Sequence, residues 1–146
     1  MSYIKLSDHG NTAFERLMGH APRILKYWEQ LENEFFKSKH FNSDFLEQLR
    51  RALAFNNLCH YCMTKAGPPD EQPDSIRLNE ALRLANLFAI NHHNINQTEI
   101  ERMKQYFSEE EIIELIAFFS FISASQKFGA SLGLQAASEY APKDAR

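Results

Sequence analysis

The stretch FLEQLRRALAFNNLCHYC, residues 45–62, combines an amphipathic helix pattern with both cysteines of this 146-residue chain. Apolar side chains recur there at three- and four-residue steps, on one face of a predicted helix: Phe45, Leu46, Leu49, Ala52 and Leu53. The polar pair Asn56 and Asn57 follows, and asparagine is a favoured N-cap. We therefore expect a second helix to begin near the asparagines, with Cys59 and Cys62 in its first turn on the same side.

The same periodicity recurs along the rest of the chain. Four more apolar faces are marked by Ile24, Trp28, Leu31 and Phe35; by Leu78, Leu82, Ala85 and Phe88; by Ile100, Met103 and Phe107; and by Ile112, Ile113, Ile116, Phe119 and Ile122. Three capping-box patterns agree with helix starts: Thr12 with Glu15, Thr98 with Glu101, and Ser108 with Glu111. No useful run alternates with period two. The prediction is an all-α bundle, a single domain over residues 1–146.

Two stretches break the helical pattern. Residues 67–73, GPPDEQP, contain three prolines, which remove backbone donors and restrict the residues before them. This segment is expected to form a loop directly after the cysteines. Residues 91–96, with His92 and His93 inside, are expected to form a polar connector.

Charge and hydropathy restrict the class of function. A net charge of −3 leaves no basic surplus for nucleic acid or an anionic membrane. The N-terminal residues lack the apolar stretch of a signal peptide, and the longest apolar run, residues 112–122, is too short to span a bilayer. We expect a cytoplasmic protein with no membrane or nucleic-acid partner. Thiols stay reduced in that compartment, so a close pair favours catalysis, redox sensing or metal binding over a structural role.

The spacing of the thiols points to redox chemistry. A thiolate attacks a peroxide or a disulfide, and a second thiol three residues away closes an intramolecular disulfide. Glu47 lies twelve residues before Cys59. If the chain folds back at the asparagines, Glu47 becomes a proton acceptor for a thiol. The alternative is that Glu47 is a solvated residue in the first turn of its helix, after Ser43.

The stretch from Phe45 to Cys62 resembles the core of the AhpD-like alkylhydroperoxidase and carboxymuconolactone decarboxylase superfamily. The redox signature there is Glu-x11-Cys-x-x-Cys-x3-His, and Glu47, Cys59 and Cys62 match its first three positions. Residues 107–133 also look like the closing helices of that family. The resemblance covers residues 20–135 in broad outline.

That resemblance implies an AhpD-like helical fold that assembles into homo-trimers or hexamers and reduces hydroperoxides. It implies that Cys62 attacks the peroxide, that Cys59 resolves the oxidised sulfur, and that Glu47 draws the proton away. In some members of the family, electrons arrive from a lipoyl-bearing partner protein, and a thiol reductant protein is the other source we expect. We expect neither a cofactor nor a metal at the site.

One position departs from the family pattern. The histidine belongs four residues after Cys62, where this chain has Ala66, and a methyl group cannot relay a proton. Four side chains are candidates for a replacement: His60, Lys65, His92 and His93. Lys65 would act by charge, not by proton relay. The missing histidine favours a second hypothesis, a non-enzymatic oligomeric redox sensor or adaptor on the same fold.

Two further functions use the same residues. Carboxymuconolactone decarboxylation follows from the superfamily resemblance alone, and the thiols argue against it because members with that activity generally do not rely on a Cys-x-x-Cys pair. Zinc binding normally needs four Cys or His ligands. The cysteine pair together with His60, His92 or His93 would have to supply them.

Overall fold

The computed structural model describes residues 2–70 and 75–135. Within these residues the chain forms seven α-helices and one short 3-10 helix. The helices are α1 (Ala13–Met18), α2 (Pro22–Phe36), α3 (Ser43–Asn56), α4 (His60–Ala66), α5 (Ile76–Asn91), the 3-10 turn (His92–Asn94), α6 (Gln97–Met103) and α7 (Glu109–Ser131). These described residues contain no strand, so the all-α prediction is confirmed. The predicted loop at 67–73 extends beyond residue 70 into residues outside the described part.

Two of the three predicted capping boxes are present. Thr12 with Glu15 starts α1, and Ser108 with Glu111 starts α7, each pair bonding the other's backbone amide. The third prediction, at Thr98, is wrong. The side chain of Asn96 accepts from the amides of Thr98 and Glu99, so α6 begins at Gln97, two residues before the predicted cap would allow.

Helix α7 is the centre of the core. Its residues Leu115, Phe118 and Phe119 are fully buried, and they pack in one cluster with buried residues of α3 and α5: Leu46, Leu49, Ala52, Leu53, Ala81, Leu82, Leu84 and Ala85. Because neighbours cover most of its circumference, α7 is apolar nearly all round rather than amphipathic. Ile113 is the exception within the predicted face and is 71% exposed.

The length of α7 bears on the prediction of no membrane span. Small residues extend the apolar run 112–122, so the whole helix Glu109–Ser131 is long and apolar enough to cross a membrane by length and composition. Half of its most apolar 18-residue window is buried inside the bundle. That burial is compatible with the core helix of a soluble protein, where the apolar side chains serve packing.

Helix α2 covers the core with only one flank of its predicted apolar face. Trp28 and Phe35 each place a ring 5.4 Å from that of Phe121 on α7. Ile24 and Leu31 are 46% and 48% exposed, so the core does not cover the part of the apolar face that they mark. At 100° per residue, both lie on the side of the stripe that points away from α7. The buried direction of α2 is centred instead between Leu25 and Trp28.

Candidate redox site

The two cysteines lie at the junction between α3 and α4. The predicted cap at the asparagines is wrong, because Asn56 is the last residue of α3 and Asn57 caps its C-terminus. The side chain of Asn57 is engaged elsewhere: Nδ2 donates to Ser123 Oγ at 3.0 Å and to Gln126 Oε1 at 2.9 Å, both on α7. The helix that follows therefore starts later in the chain than the sequence pattern indicates.

Cys59 itself is the N-cap of α4. Its Sγ accepts a weak hydrogen bond from the backbone amide of Cys62 at 3.4 Å. Leu58, the residue before it, has a φ of +53°, a left-handed conformation that L-residues seldom adopt. This turn reverses the chain so that α4 packs back against α3. The predicted fold-back between the two helices is thus confirmed.

Cys59 and Cys62 form a disulfide, with their Cα atoms 5.3 Å apart. This confirms that the two sulfur atoms are close enough to bond. Their surroundings differ, because Cys59 is only 1% exposed while Cys62 is partly exposed and lines a cleft. After reduction, Cys62 would therefore be the sulfur that a reagent from solvent meets first, and Cys59 would lie behind it.

The cleft beside Cys62 has a volume of about 130 Å³ and is walled by five helices. The lining combines aromatic, acidic and basic side chains: Thr12, Phe14, Glu15, Trp28, Glu29, Glu32, Arg50, Ala54, Tyr61, Cys62, Lys65, Ala66, Ile122, Ser125 and Gln126. Contributions come from α1, α2, α3, α4 and α7. No single stretch of sequence contains this arrangement.

Hydrogen bonds between helices hold the walls of the cleft in place. Trp28 Nε1 on α2 donates to Ser125 Oγ on α7 at 2.9 Å. Gln126 Nε2 on α7 donates to the backbone carbonyl of Arg50 on α3 at 3.0 Å. Because Gln126 also accepts from Asn57, one buried side chain joins α7, α3 and the turn that carries the cysteines.

Glu47 lies on α3 and is held by Arg50. Arg50 Nη2 donates to Glu47 Oε2 at 2.7 Å, and Nε donates to the same oxygen at 3.2 Å. Arg50 lines the cleft. Glu47 is not among the residues that line it, and the Glu47 side chain is 31% exposed. Glu47 is therefore neither a freely solvated carboxylate nor a wall of the cleft. Its role as proton acceptor stays a prediction.

Of the four candidates for the missing histidine, only Lys65 lines the cleft, next to Ala66. Its Nζ lies 5.8 Å from the centre of the Tyr61 ring. His60 is exposed at the start of α4. His92 and His93 lie in the 3-10 turn with their ring centres 4.2 Å apart and the rings tilted by 37°, and His92 lines a separate depression beside Phe88.

Glu32 is the site residue that sequence reasoning missed. It lies on α2 and lines the cleft together with Cys62. Burial raises the pKa of the Glu32 carboxyl above its usual range, and the positive charges of Arg50 and Lys65 offset only part of that rise. A signal was present in the sequence: Leu25, Trp28, Glu29 and Glu32 follow the i, i+3, i+4, i+7 spacing of one helical face.

Metal ligands do not come together in residues 2–70 and 75–135. No group of three or more His, Cys, Asp or Glu side chains there is arranged to hold a metal ion.

Comparison with known proteins leaves the family of the chain open: no model of a known protein family matches it, and no curated protein does either.

Proposed function

We propose that this chain is a thiol-dependent redox protein of AhpD-like fold that reduces hydroperoxides through Cys62 and Cys59. The observation that carries the proposal is the Cys59–Cys62 disulfide, in which one sulfur is buried and the other lines a cleft. A resolving thiol protected from solvent behind an accessible attacking thiol is the arrangement that peroxide reduction needs.

The length of the disulfide loop supports a redox role over a structural one. Residues 59–62 close a loop of four residues, and the loop-entropy relation assigns such a loop about 2 kcal/mol of stabilisation. That is the low end of what disulfides contribute, because a short loop removes little freedom from the unfolded chain.

The proposed chemistry balances as a two-electron exchange. The Cys62 thiolate attacks the terminal oxygen of a hydroperoxide ROOH, so that an S–O bond forms and the O–O bond breaks. The alkoxide leaves as the alcohol ROH after it takes a proton. The Cys59 thiol then attacks the Cys62 sulfenic acid, which forms the disulfide and releases water. A dithiol reductant, such as a lipoyl-bearing or thiol protein, restores both thiols.

The test is peroxide consumption by the reduced protein, with hydrogen peroxide and tert-butyl hydroperoxide as probes. Cys62→Ser should abolish the rapid thiol-dependent reaction. Cys59→Ser should consume one equivalent and leave a sulfenic acid on Cys62 that a dimedone probe traps. Equal consumption by the Cys62→Ser variant and the original chain would refute the proposal.

A redox sensor is the second candidate, and the residue that favours it is Ala66 in the wall of the cleft. A sensor is oxidised once and keeps its disulfide, whereas an enzyme is reduced again and reacts with further peroxide. With dihydrolipoamide as the reductant, an enzyme consumes many equivalents of peroxide per chain. Consumption that stops at one equivalent, although the thiols can be chemically re-reduced, supports the sensor.

A further inference from the structure

We propose that Glu32 is the proton-transfer group of the cleft: it takes the proton of the Cys62 thiol and returns it to the leaving alkoxide. This inference rests on the proposed function, and it assigns the step that the family histidine would perform to a residue on another helix. The geometry behind it is that Glu32 on α2 and Cys62 on α4 line the same cleft of about 130 Å³. The charge of Lys65, on the same helix as Cys62, acts on the Glu32 carboxyl across this cleft, so the wall formed by α2 faces the wall formed by α4.

The carboxylate of Glu32 is available for this task. Among the described residues, no hydrogen bond or ion pair engages it. The same holds for Glu29, but Glu32 lies between Leu25 and Trp28 at 100° per residue, in the direction of α2 that faces the core, and Glu29 lies outside that interval. The carboxylates of Glu47 and Glu15 are committed. Glu47 is bonded to Arg50, and Glu15 accepts from the amides of Asn11 and Thr12 at the start of α1. Glu32 is thus a carboxyl of the cleft with no competing partner in that part of the chain.

Charges on three neighbouring helices act on the pKa of the Glu32 carboxyl. Burial raises its pKa, and the carboxylates of Glu15 on α1 and Glu47 on α3 act in the same direction. Arg50 on α3 and Lys65 on α4 act in the opposite direction. Glu29 on α2 and Tyr61 on α4 complete the titratable groups lining the cleft, and α7 contributes only the neutral Ile122, Ser125 and Gln126. A general acid or base works best when its pKa approaches the working pH.

The proton then follows a closed path. The ionised Glu32 carboxylate takes the proton of the Cys62 thiol, and the thiolate attacks the hydroperoxide. The O–O bond breaks, and the protonated Glu32 gives its proton to the alkoxide, which leaves as the alcohol. Glu32 is ionised again while Cys62 carries the sulfenic acid, so no other acid or base is consumed in this step.

The experiment compares Glu32→Gln with Glu34→Gln, which removes an exposed carboxylate from the opposite side of α2, outside the cleft. Reduced protein is mixed with hydrogen peroxide across a pH series, and loss of thiol is followed. Glu32→Gln should lower the rate constant about 100-fold and flatten its pH profile, since general acid–base catalysis contributes roughly 10²–10⁴. Glu34→Gln should stay within twofold of the original chain. Glu32→Asp, which keeps a carboxyl group, should recover part of the rate.

A second readout does not depend on peroxide reduction. Alkylation of Cys62 by iodoacetamide in a Cys59→Ser background reports the ionisation of the thiol as a function of pH. Removal of a nearby negative charge favours the thiolate, so Glu32→Gln should move the alkylation midpoint to lower pH by roughly 0.5–1 unit. Glu34→Gln, outside the cleft, should move it less.

The outcomes separate the two proposals. If Cys62→Ser abolishes the reaction but Glu32→Gln reacts at the original rate with the original pH profile, the assignment of Glu32 is wrong and the redox function stands. If Cys62→Ser has no effect on peroxide consumption, the redox function fails. An alkylation midpoint that is unchanged in Glu32→Gln, in a variant whose circular dichroism matches the original chain, overturns the assignment in either case.

Discussion

Single residues carry the conformational cost at the turn between α3 and α4. Leu58 adopts a φ of +53° and is 66% exposed, so its side chain gains little from burial while its backbone is strained. The strain is the local cost of placing Cys59 at the start of α4. A residue without a β-carbon would adopt the same conformation freely.

Leu58→Gly is accordingly expected to stabilise the protein by about 0.5–1 kcal/mol, the left-handed cost recovered less the entropy that glycine adds to the unfolded chain. Urea denaturation at pH 7 measures the change. Leu58→Ala is the matched control, because it removes the same exposed side chain but keeps the β-carbon, and it should show no such gain. An equal gain in both variants would attribute the effect to the lost leucine side chain.

Glu32 predicts a pH dependence of stability. Burial raises its pKa, so the folded chain binds the proton more tightly than the unfolded chain. The contribution of protonated Glu32 to the free energy of unfolding is therefore fully present below the pKa of the unfolded carboxyl. It is lost as the pH rises through the raised pKa of the folded chain. Glu32→Gln removes that loss, so it should be more stabilising at pH 7 than at pH 4.

The measurement is urea unfolding of Glu32→Gln and the original chain at pH 4 and pH 7. Glu34→Gln, an exposed carboxylate on the same helix, serves as the control, and a pH-dependent difference there as large as that of Glu32→Gln would attribute the effect to the loss of any carboxylate from α2. If Glu32→Gln gave the same difference at the two pH values, the carboxyl would not be titrating in a buried environment.

At the scale of helices, Gln126 is the side chain that ties the site together. It is 2% exposed, it accepts from Asn57 and it donates to the carbonyl of Arg50. Buried polar groups of this kind cost free energy when they lose a partner. The bonds orient α3, α4 and α7 around the cleft, which apolar packing alone would not do.

Gln126→Ala should therefore destabilise the protein by about 2–3 kcal/mol, because it leaves the amide of Asn57 and the carbonyl of Arg50 without this partner. Thermal or urea unfolding measures it. Ser120→Ala is a control on the same helix: Ser120 is exposed and, within the described part of the chain, its side chain bonds only the carbonyl of Ile116, so we expect a change within about 0.5 kcal/mol. A Gln126→Ala effect as small as that of Ser120→Ala would contradict the linking role.

The disulfide belongs to the same scale, since it joins the N-cap of α4 to its first turn. Reduction should lower Tm by no more than about 8 °C, because a four-residue loop contributes about 2 kcal/mol. Calorimetry with and without dithiothreitol tests this. Loss of the cooperative transition on reduction would show that the bond is a structural staple, against the redox proposal.

For the whole molecule, the exposed flank of α2 is the feature that bears on assembly. Ile24, Tyr27 and Leu31 recur on one side of that helix and are 46%, 59% and 48% exposed. Contiguous apolar surface of this kind often becomes buried in an interface. It supports the proposed homo-trimer or hexamer, in which copies of the chain would cover it.

We expect sedimentation velocity to find a mass of three or six chains. Leu31→Lys should shift the distribution towards monomer, since it places a charge in the apolar flank. Asn33→Ala, an exposed change on the opposite side of the same helix, should leave the mass unchanged. A monomer in the original chain at micromolar concentration would contradict the assembly that the family resemblance implies.

The sequence by itself determined the features that depend on neighbours three or four residues apart. It predicted the helical class, the capping boxes of α1 and α7, and a cysteine pair able to form a disulfide within one turn. These follow from the pitch of the α-helix, which brings such residues to one face whatever the rest of the chain does. The match of Glu47, Cys59 and Cys62 to a redox spacing is equally local.

Only the tertiary structure decided which flank of each helix is covered and which side chains share the cleft. Ile24 and Leu31 follow the apolar period as well as Trp28, yet they stay exposed because α7 lies on the other side of α2. Glu32 and Cys62 line the same cleft although 30 residues separate them in the chain. The helical period predicts that an apolar face exists. Which part of that face becomes buried depends on the position of the neighbouring helix, and contacts between residues far apart in sequence set that position.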